Sequence, residues 1–229
     1  MPDIREYVEA MRTSRGSATE TLTQLLCREA ALRPDSEHGF PEAPGPFRDA
    51  GIAIGRGMLS DSTTRFLLDY AVESARCGRM RVGDGQVANA FAQYGNPVTE
   101  FLLDALSPLV ERATGLAVYP TYSFMRIYGK GDVLRAHTDR VACEVSVTLA
   151  LGIDAPRLWP FFIRSPQGVK QVNLLPGDML VFRGVEYMHW RNAFDGVYAA
   201  QVFLHYVDQS GPYAAFKFDR RSRLNYQIS

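Results

Sequence analysis

The chain has 229 residues, enough to bury a full core in one catalytic domain with a short extension. Its basic and acidic residues balance at 25 each, so the positive surplus of a nucleic-acid binder is missing. No stretch approaches the roughly 20 apolar residues that cross a bilayer, and no signal-like apolar run stands at the start. The three cysteines, Cys27, Cys77 and Cys143, cannot all pair and lack metal-ligand spacing, so reduced thiols in a soluble, cytoplasmic protein are expected.

Residues 1–50 are expected to form an N-terminal helical extension and a proline-rich connector. Ile4, Tyr7, Val8 and Met11, then Leu22, Leu25, Leu26 and Ala30, recur at helical spacing and predict two short amphipathic helices. Pro34, Pro41, Pro44 and Pro46, with Gly39 and Gly45, exclude regular structure over Arg33–Phe47, and His38 inside this stretch reads as solvated loop.

Residues 51–229 are expected to form the main domain. A short apolar strand falls within Gly51–Met58. A helix follows, capped at Ser60 or Asp61, with Phe66, Leu67, Tyr70, Ala71 and Ala75 on one face. A second starts after the cap Asn96 with Pro97 in its first turn, is kinked or restarted at Pro108, and ends at Gly115. Both helices read as buttresses on one outer face of a sheet.

From Leu116 the pattern turns to strands. Tyr122–Leu151 reads as strand, turn, strand, strand, broken at Gly129, Gly131 and Asp132. Further strands are predicted at Leu158–Ile163, Val169–Leu175, Met179–Phe182, Tyr187–Arg191 and Tyr198–Val207. Turn signals separate them at Gly152, at residues 165–168, at Pro176-Gly177-Asp178, at Gly184 and at Asp195-Gly196. Roughly eight short strands so spaced predict a mainly β domain with flanking helices, built as a two-sheet sandwich or jelly roll. The terminal stretch from Phe218 reads as a polar tail.

Chemistry enters at His137 and Asp139. Residues two apart on an extended segment face the same way, so the imidazole and the carboxylate reach one point. His189, some fifty residues on, offers a third donor. Two histidines and a carboxylate on one face of an octahedral ion leave the other positions open, as in non-haem Fe(II) oxygenases. A bare His-x-Asp is more often a surface pair, and the surrounding pattern is what distinguishes this one.

That pattern resembles the Fe(II)- and 2-oxoglutarate-dependent oxygenases, in particular the branch similar to prolyl 4-hydroxylases. The residues that carry the resemblance are His137-Thr138-Asp139, the distal His189, Tyr128-Gly129-Lys130-Gly131 before the first ligand, and the turn Pro176-Gly177-Asp178. It covers the chain from about Gly51, and most strongly Leu116–Val207. It implies a double-stranded β-helix, Fe(II) on His137, Asp139 and His189, 2-oxoglutarate as cosubstrate with Tyr128 in its pocket, and O2 as oxidant. Because Asp139 is present, it implies C–H hydroxylation or a related oxidation rather than halogenation. The expected substrate is a small molecule, an amino acid or a peptidyl side chain.

One feature departs from the family. The basic residue expected about ten positions after the distal histidine is missing, since residues 197–201 are Val, Tyr, Ala, Ala and Gln. Arg191, on the same strand face as His189, is the nearest guanidinium able to pair with the cosubstrate's far carboxylate, with Arg183, Arg126 and Lys130 in reserve. An ordinary salt bridge to Glu186 or Asp195 is the other reading of Arg191. Arg135, Arg140 and Glu144 flank the motif, while Trp159, Phe161 and Trp190 read as core or lid packing and His205 as facing a neighbouring strand. Alternatives are a cupin-like metal enzyme that uses the same triad without 2-oxoglutarate, and a non-enzymatic β-sandwich binding module. Nucleic-acid demethylation is disfavoured by the neutral charge.

Overall fold

A computed structural model describes residue 40 and residues 45–227. The two predicted N-terminal helices, His38 and Cys27 lie outside the described residues. Among the described residues there are four α-helices and eleven strands. In chain order they are α1 (Gly45–Ala50), β1 (Ile52–Gly55), α2 (Asp61–Arg76), β2 (Arg81–Val82), β3 (Phe91–Tyr94), α3 (Pro97–Ala105), α4 (Ser107–Thr114), β4 (Val118–Gly129), β5 (Leu134–His137), β6 (Val145–Asp154), β7 (Phe161–Ser165), β8 (Gly168–Val172), β9 (Met179–Arg183), β10 (Met188–Arg191) and β11 (Tyr198–Asp208). Short 3₁₀ turns cover Val141–Cys143 and Ala214–Arg220.

The strands form two antiparallel sheets, a seven-stranded one in the order β1-β9-β6-β11-β4-β3-β2 and a four-stranded one in the order β5-β10-β7-β8. The architecture is a double-stranded β-helix, or jelly roll, with helices packed on the outer face of the larger sheet. Strands β4, β6 and β11 alternate cleanly between two environments. Met125, Val147, Leu149, Val202 and Leu204 face outward and join Leu102, Leu103, Leu106 and Leu109 in the largest apolar cluster. Ala150, Phe161, Ile163, Leu180 and Phe182 make a second cluster between the sheets.

The helix signals act as the sequence predicts. The Ser60 side chain accepts from the Thr63 amide at the start of α2, and Asn96 accepts from Val98 and Thr99 with Pro97 opening α3. Pro108 lacks the amide proton that would continue α3, so the chain restarts at Ser107 as α4 and ends at Gly115 with φ +73°.

Two expectations need correction, and one element went unpredicted. Gly45, Pro46 and Phe47 are helical rather than irregular, because a proline in a first helical turn loses no hydrogen bond. The short pair β2 and β3 had no alternating pattern to announce it. The C-terminal stretch is docked rather than free: Leu224 is fully buried, Arg221 Nη2 donates to Glu100 Oε1 at 2.5 Å, Asn225 Nδ2 donates to the Gly95 carbonyl at 2.6 Å, and the Tyr226 hydroxyl donates to Asp104. Its polar residues find partners on and beside α3.

Candidate metal centre and its cavity

His137 ends β5 and His189 lies on β10, directly opposite in the antiparallel ladder, with ring centroids 4.3 Å apart. His137 Nδ1 is 2.8 Å from the Arg135 carbonyl and His189 Nδ1 is 2.9 Å from the Tyr187 carbonyl. A carbonyl oxygen only accepts, so Nδ1 carries the proton in each neutral ring and Nε2 presents a bare lone pair. Both Nε2 atoms lie 3.6 Å from Asp139 Oδ1. All three ligand atoms lie within 4.8 Å of one another, and bonds of about 2.1 Å to one ion would space adjacent donors about 3 Å apart, so the set would have to contract to hold a metal.

Asp139 is fixed by its surroundings. Its amide donates to the Gly184 carbonyl at 2.8 Å, and its Oδ2 accepts from Ser146 Oγ at 2.6 Å. Burial works to raise its pKa, but the neighbouring His137 imidazole, the fields of His189 and His205 and the Ser146 hydroxyl outweigh it and hold the carboxyl at about 2. His137 is pulled down by burial but moved up overall by Asp139 and the Arg135 carbonyl. His189, more deeply buried, stays below its usual value.

The three donors open onto a cavity of about 430 Å³, walled partly by Phe124, Arg126, Thr148, Phe161, Phe203 and His205. Sequence reasoning brought His137, Asp139 and His189 to one point, and the structure places these three side chains together. The proposed cosubstrate residues are arranged differently. Tyr128 is fully buried and accepts from Arg126 Nη1 at 3.0 Å, so Arg126 stands between it and the cavity.

Arg191 is not in the cavity wall. Its Nη1 donates to the Trp159 carbonyl at 2.5 Å and its Nη2 to Gln201 at 3.3 Å, and its guanidinium packs on the rings of Trp159 and Phe161. Its Nε has no partner among the described residues, and burial lowers its pKa to about 10. The anticipated salt-bridge partners are taken elsewhere, Glu186 by Arg183 and Asp195 by Arg157.

Arg126, a reserve in the sequence reading, is the buried cation at the wall. Its Nε and Nη2 donate to Asp84 Oδ2 at 3.0 and 2.6 Å, and Nη2 also donates to Gln86. Arg140 also lines the cavity, bound through both terminal nitrogens to Asp219 and lying over the Tyr122 ring. Trp159 and Phe161 are core residues as expected, whereas Trp190 stacks on Phe162, which is half-buried like itself.

Several wall residues escaped the sequence reading. Thr148 Oγ1 is buried at the cavity with no partner among the described residues. Ser146 and Thr148 are polar at alternating positions of an otherwise apolar strand, a signal that was available. His205, expected to face a neighbouring strand, instead faces the cavity, with burial lowering its pKa to about 4. Asp139, Cys143 and His205 form a second cluster with ligand-type atoms within 4.8 Å, but His205 Nδ1 is engaged with Ser146 and the Cys143 thiol with the Tyr122 hydroxyl.

No protein-family model matches the chain, and no curated protein matches it. Solved structures do share its fold, the jelly roll of iron- and 2-oxoglutarate-dependent oxygenases. A Pseudomonas putida prolyl-4-hydroxylase superposes with a TM-score of 0.61 at 16% identity, over 72% of this chain and 96% of that one. A Trichoplax adhaerens prolyl hydroxylase, solved with a hypoxia inducible factor peptide fragment, gives 0.62 at 14% identity, over 86% and 96%. The alpha-ketoglutarate-dependent epimerase SnoN from nogalamycin biosynthesis gives 0.62 at 13% identity, over 72% and 81%. The resemblance read from the motifs therefore holds at the level of the fold.

Proposed function

We propose that the chain is an Fe(II)- and 2-oxoglutarate-dependent oxygenase that oxidises a C–H bond of a small molecule, amino acid or peptidyl side chain. The observation that carries this reading is the convergence of His137 Nε2, His189 Nε2 and Asp139 Oδ1 at the wall of a roomy cavity, with both Nδ1 protons tied to backbone carbonyls. Two neutral imidazoles and one carboxylate suit Fe(II) and leave positions open. Iron held there together with 2-oxoglutarate would supply the oxidising power to use O2 against a C–H bond, with the oxo acid converted to succinate and CO2.

The chain's own residues bind and orient. Arg126 brings a buried guanidinium, paired with Asp84, to the wall and Thr148 a hydroxyl with no partner among the described residues, and these are the groups we assign to the far carboxylate of the oxo acid. Arg191 and Tyr128, the positions first expected to do this, stand behind: Tyr128 steadies Arg126, and Arg191 is held among the rings. Phe124, Phe161, Phe182 and Phe203 give the cavity apolar walls that keep bulk water from the reacting centre. A reducing, cytoplasmic setting fits the free thiols of Cys77 and Cys143, and no described helix is long and apolar enough to cross a membrane.

The cupin-like alternative without 2-oxoglutarate drew on the missing cation of the last strand, and Arg126 on β4 answers that lack. Anaerobic titration tests the proposal directly. Fe(II)-loaded protein should develop a weak visible charge-transfer band on adding 2-oxoglutarate and release succinate once O2 and a substrate are present. Metal binding without oxo-acid binding would favour the cupin-like reading, and absence of both would refute the metal centre.

A further inference from the structure

The metal-ligating carboxylate has one oxygen committed elsewhere. Asp139 Oδ1 faces the two imidazoles, while Oδ2 lies 2.6 Å from Ser146 Oγ. Ser146 has a single proton. Its other neighbours are the Cys143 carbonyl at 3.2 Å and His205 Nδ1 at 3.0 Å. The close approach to an ionised carboxylate requires the serine proton between them, so His205 Nδ1 must donate to Ser146. The result is a directed chain of hydrogen bonds, His205 to Ser146 to Asp139.

The surroundings leave this chain little freedom. The His205 ring is 7% exposed and packs on Tyr122 at 4.6 Å between centroids. Gly184 closes the opposite side: a Cβ there would come within 2.4 Å of Ser146 Oγ, 2.6 Å of Asp139 Oδ2 and 2.3 Å of the Cys143 carbonyl. The carboxylate can therefore neither rotate nor draw back without breaking a contact.

We propose that Ser146 and His205 are positioning residues that confine Asp139 to ligation through one oxygen, so that the position a second oxygen would take stays open to the oxo acid. The inference rests on the metal reading given above. Removing the serine hydroxyl frees Oδ2 to swing toward the ion and compete with the oxo acid.

Cobalt(II)-substituted protein provides the test, because its ligand-field absorption reports coordination without turnover. Ser146→Ala should bind one equivalent of cobalt, show altered visible bands, and bind 2-oxoglutarate about tenfold more weakly, the usual scale for losing a group that orients a metal ligand. Ser146→Thr, which restores a hydroxyl, should recover the wild-type spectrum and affinity. His205→Phe, which keeps a stacked ring but has no Nδ1–H, should shift both in the same direction by less. Should Ser146→Ala fail to fold, Ser146→Cys, a weaker donor of similar shape, carries the same expectation. Unchanged bands and unchanged oxo-acid affinity in a folded Ser146→Ala protein would overturn the inference and leave the proposed function standing. Failure of the wild-type protein to bind cobalt would remove both.

Discussion

Replacing Arg126 by glutamine is the sharpest probe of how an oxo acid would be held. The guanidinium is 3% exposed, and its Nη1 reaches Tyr128 while Nε and Nη2 reach Asp84. A hydrogen bond to a charged partner contributes about 1.5–3 kcal/mol, which is about 10- to 150-fold in affinity. A second effect has the same sign. Asp84 is pinned by the Gln86 and Val87 amides, both donating to its Oδ1 at 2.8 Å, so it stays in place when its partner is lost. Its unbalanced charge then repels a dianion. Isothermal titration of the anaerobic, metal-loaded protein should show 2-oxoglutarate binding weakened toward the upper end of that range, with Arg126→Lys intermediate because it keeps the charge and loses the fork. Arg191→Gln should lower thermal stability, since it strands the Trp159 carbonyl, yet leave oxo-acid affinity within about threefold. The opposite pattern, with Arg191→Gln folded but unable to bind the oxo acid and Arg126→Gln unaffected, would refute this assignment.

Gly184→Ala should cost about 1–3 kcal/mol of stability and weaken metal binding, because its Cβ falls on Ser146 Oγ, Asp139 Oδ2 and the Cys143 carbonyl; chemical denaturation beside metal titration reads both, and a neutral substitution contradicts the packing. Metal affinity should fall about tenfold per pH unit on acidification through a range starting above pH 6.5, since His137 titrates above its usual value and only its neutral form ligates. Asp139, at about 2, stays ionised throughout, so affinity that is flat between about pH 5 and pH 8 would exclude His137 as a ligand. Leu103→Ala, in the fully buried seam where the Leu103 carbonyl also accepts from the Tyr206 hydroxyl, should lose about 2–5 kcal/mol in urea unfolding. Metal affinity should be unchanged in that variant, because the seam lies on the sheet face away from the cavity.

The candidate metal donors were legible because the rule behind them is local. Residues two apart on an extended segment share a face, and Asp139, two residues past His137 at the end of β5, comes together with it, while His189, with a turn signal before its strand, supplies the third donor. The proposed carboxylate anchor was legible only as a reserve, because position along the last strand says nothing about what a neighbouring strand projects inward. Arg126 reaches the cavity because it sits opposite Gln201 in the ladder between β4 and β11, a pairing known only once the register is set. Tyr128 was placed in the pocket by the resemblance, but Arg126, two residues earlier and bonded to its hydroxyl, is the one of the two that lines the cavity. The C-terminal stretch looked solvated because its partners, Glu100, Asp104 and the Gly95 carbonyl, are more than a hundred residues away in sequence.

The same strands that seat the helices also build the site, and this ties stability to chemistry. On β6 the residues Val145, Val147, Leu149 and Leu151 bury against the helical side, which turns Ser146 and Thr148 inward. On β11, Ala200, Val202, Leu204 and Tyr206 do likewise and turn Gln201, Phe203 and His205 inward. A slip of one residue would exchange the two sets, exposing the apolar row to the cavity and burying serine, threonine and histidine against leucine. The cost of such a slip grows with every buried apolar side chain, at about 1.5–3 kcal/mol each. The outer core, which lies away from the cavity, therefore fixes the register that brings His205 to Ser146 and Ser146 to Asp139.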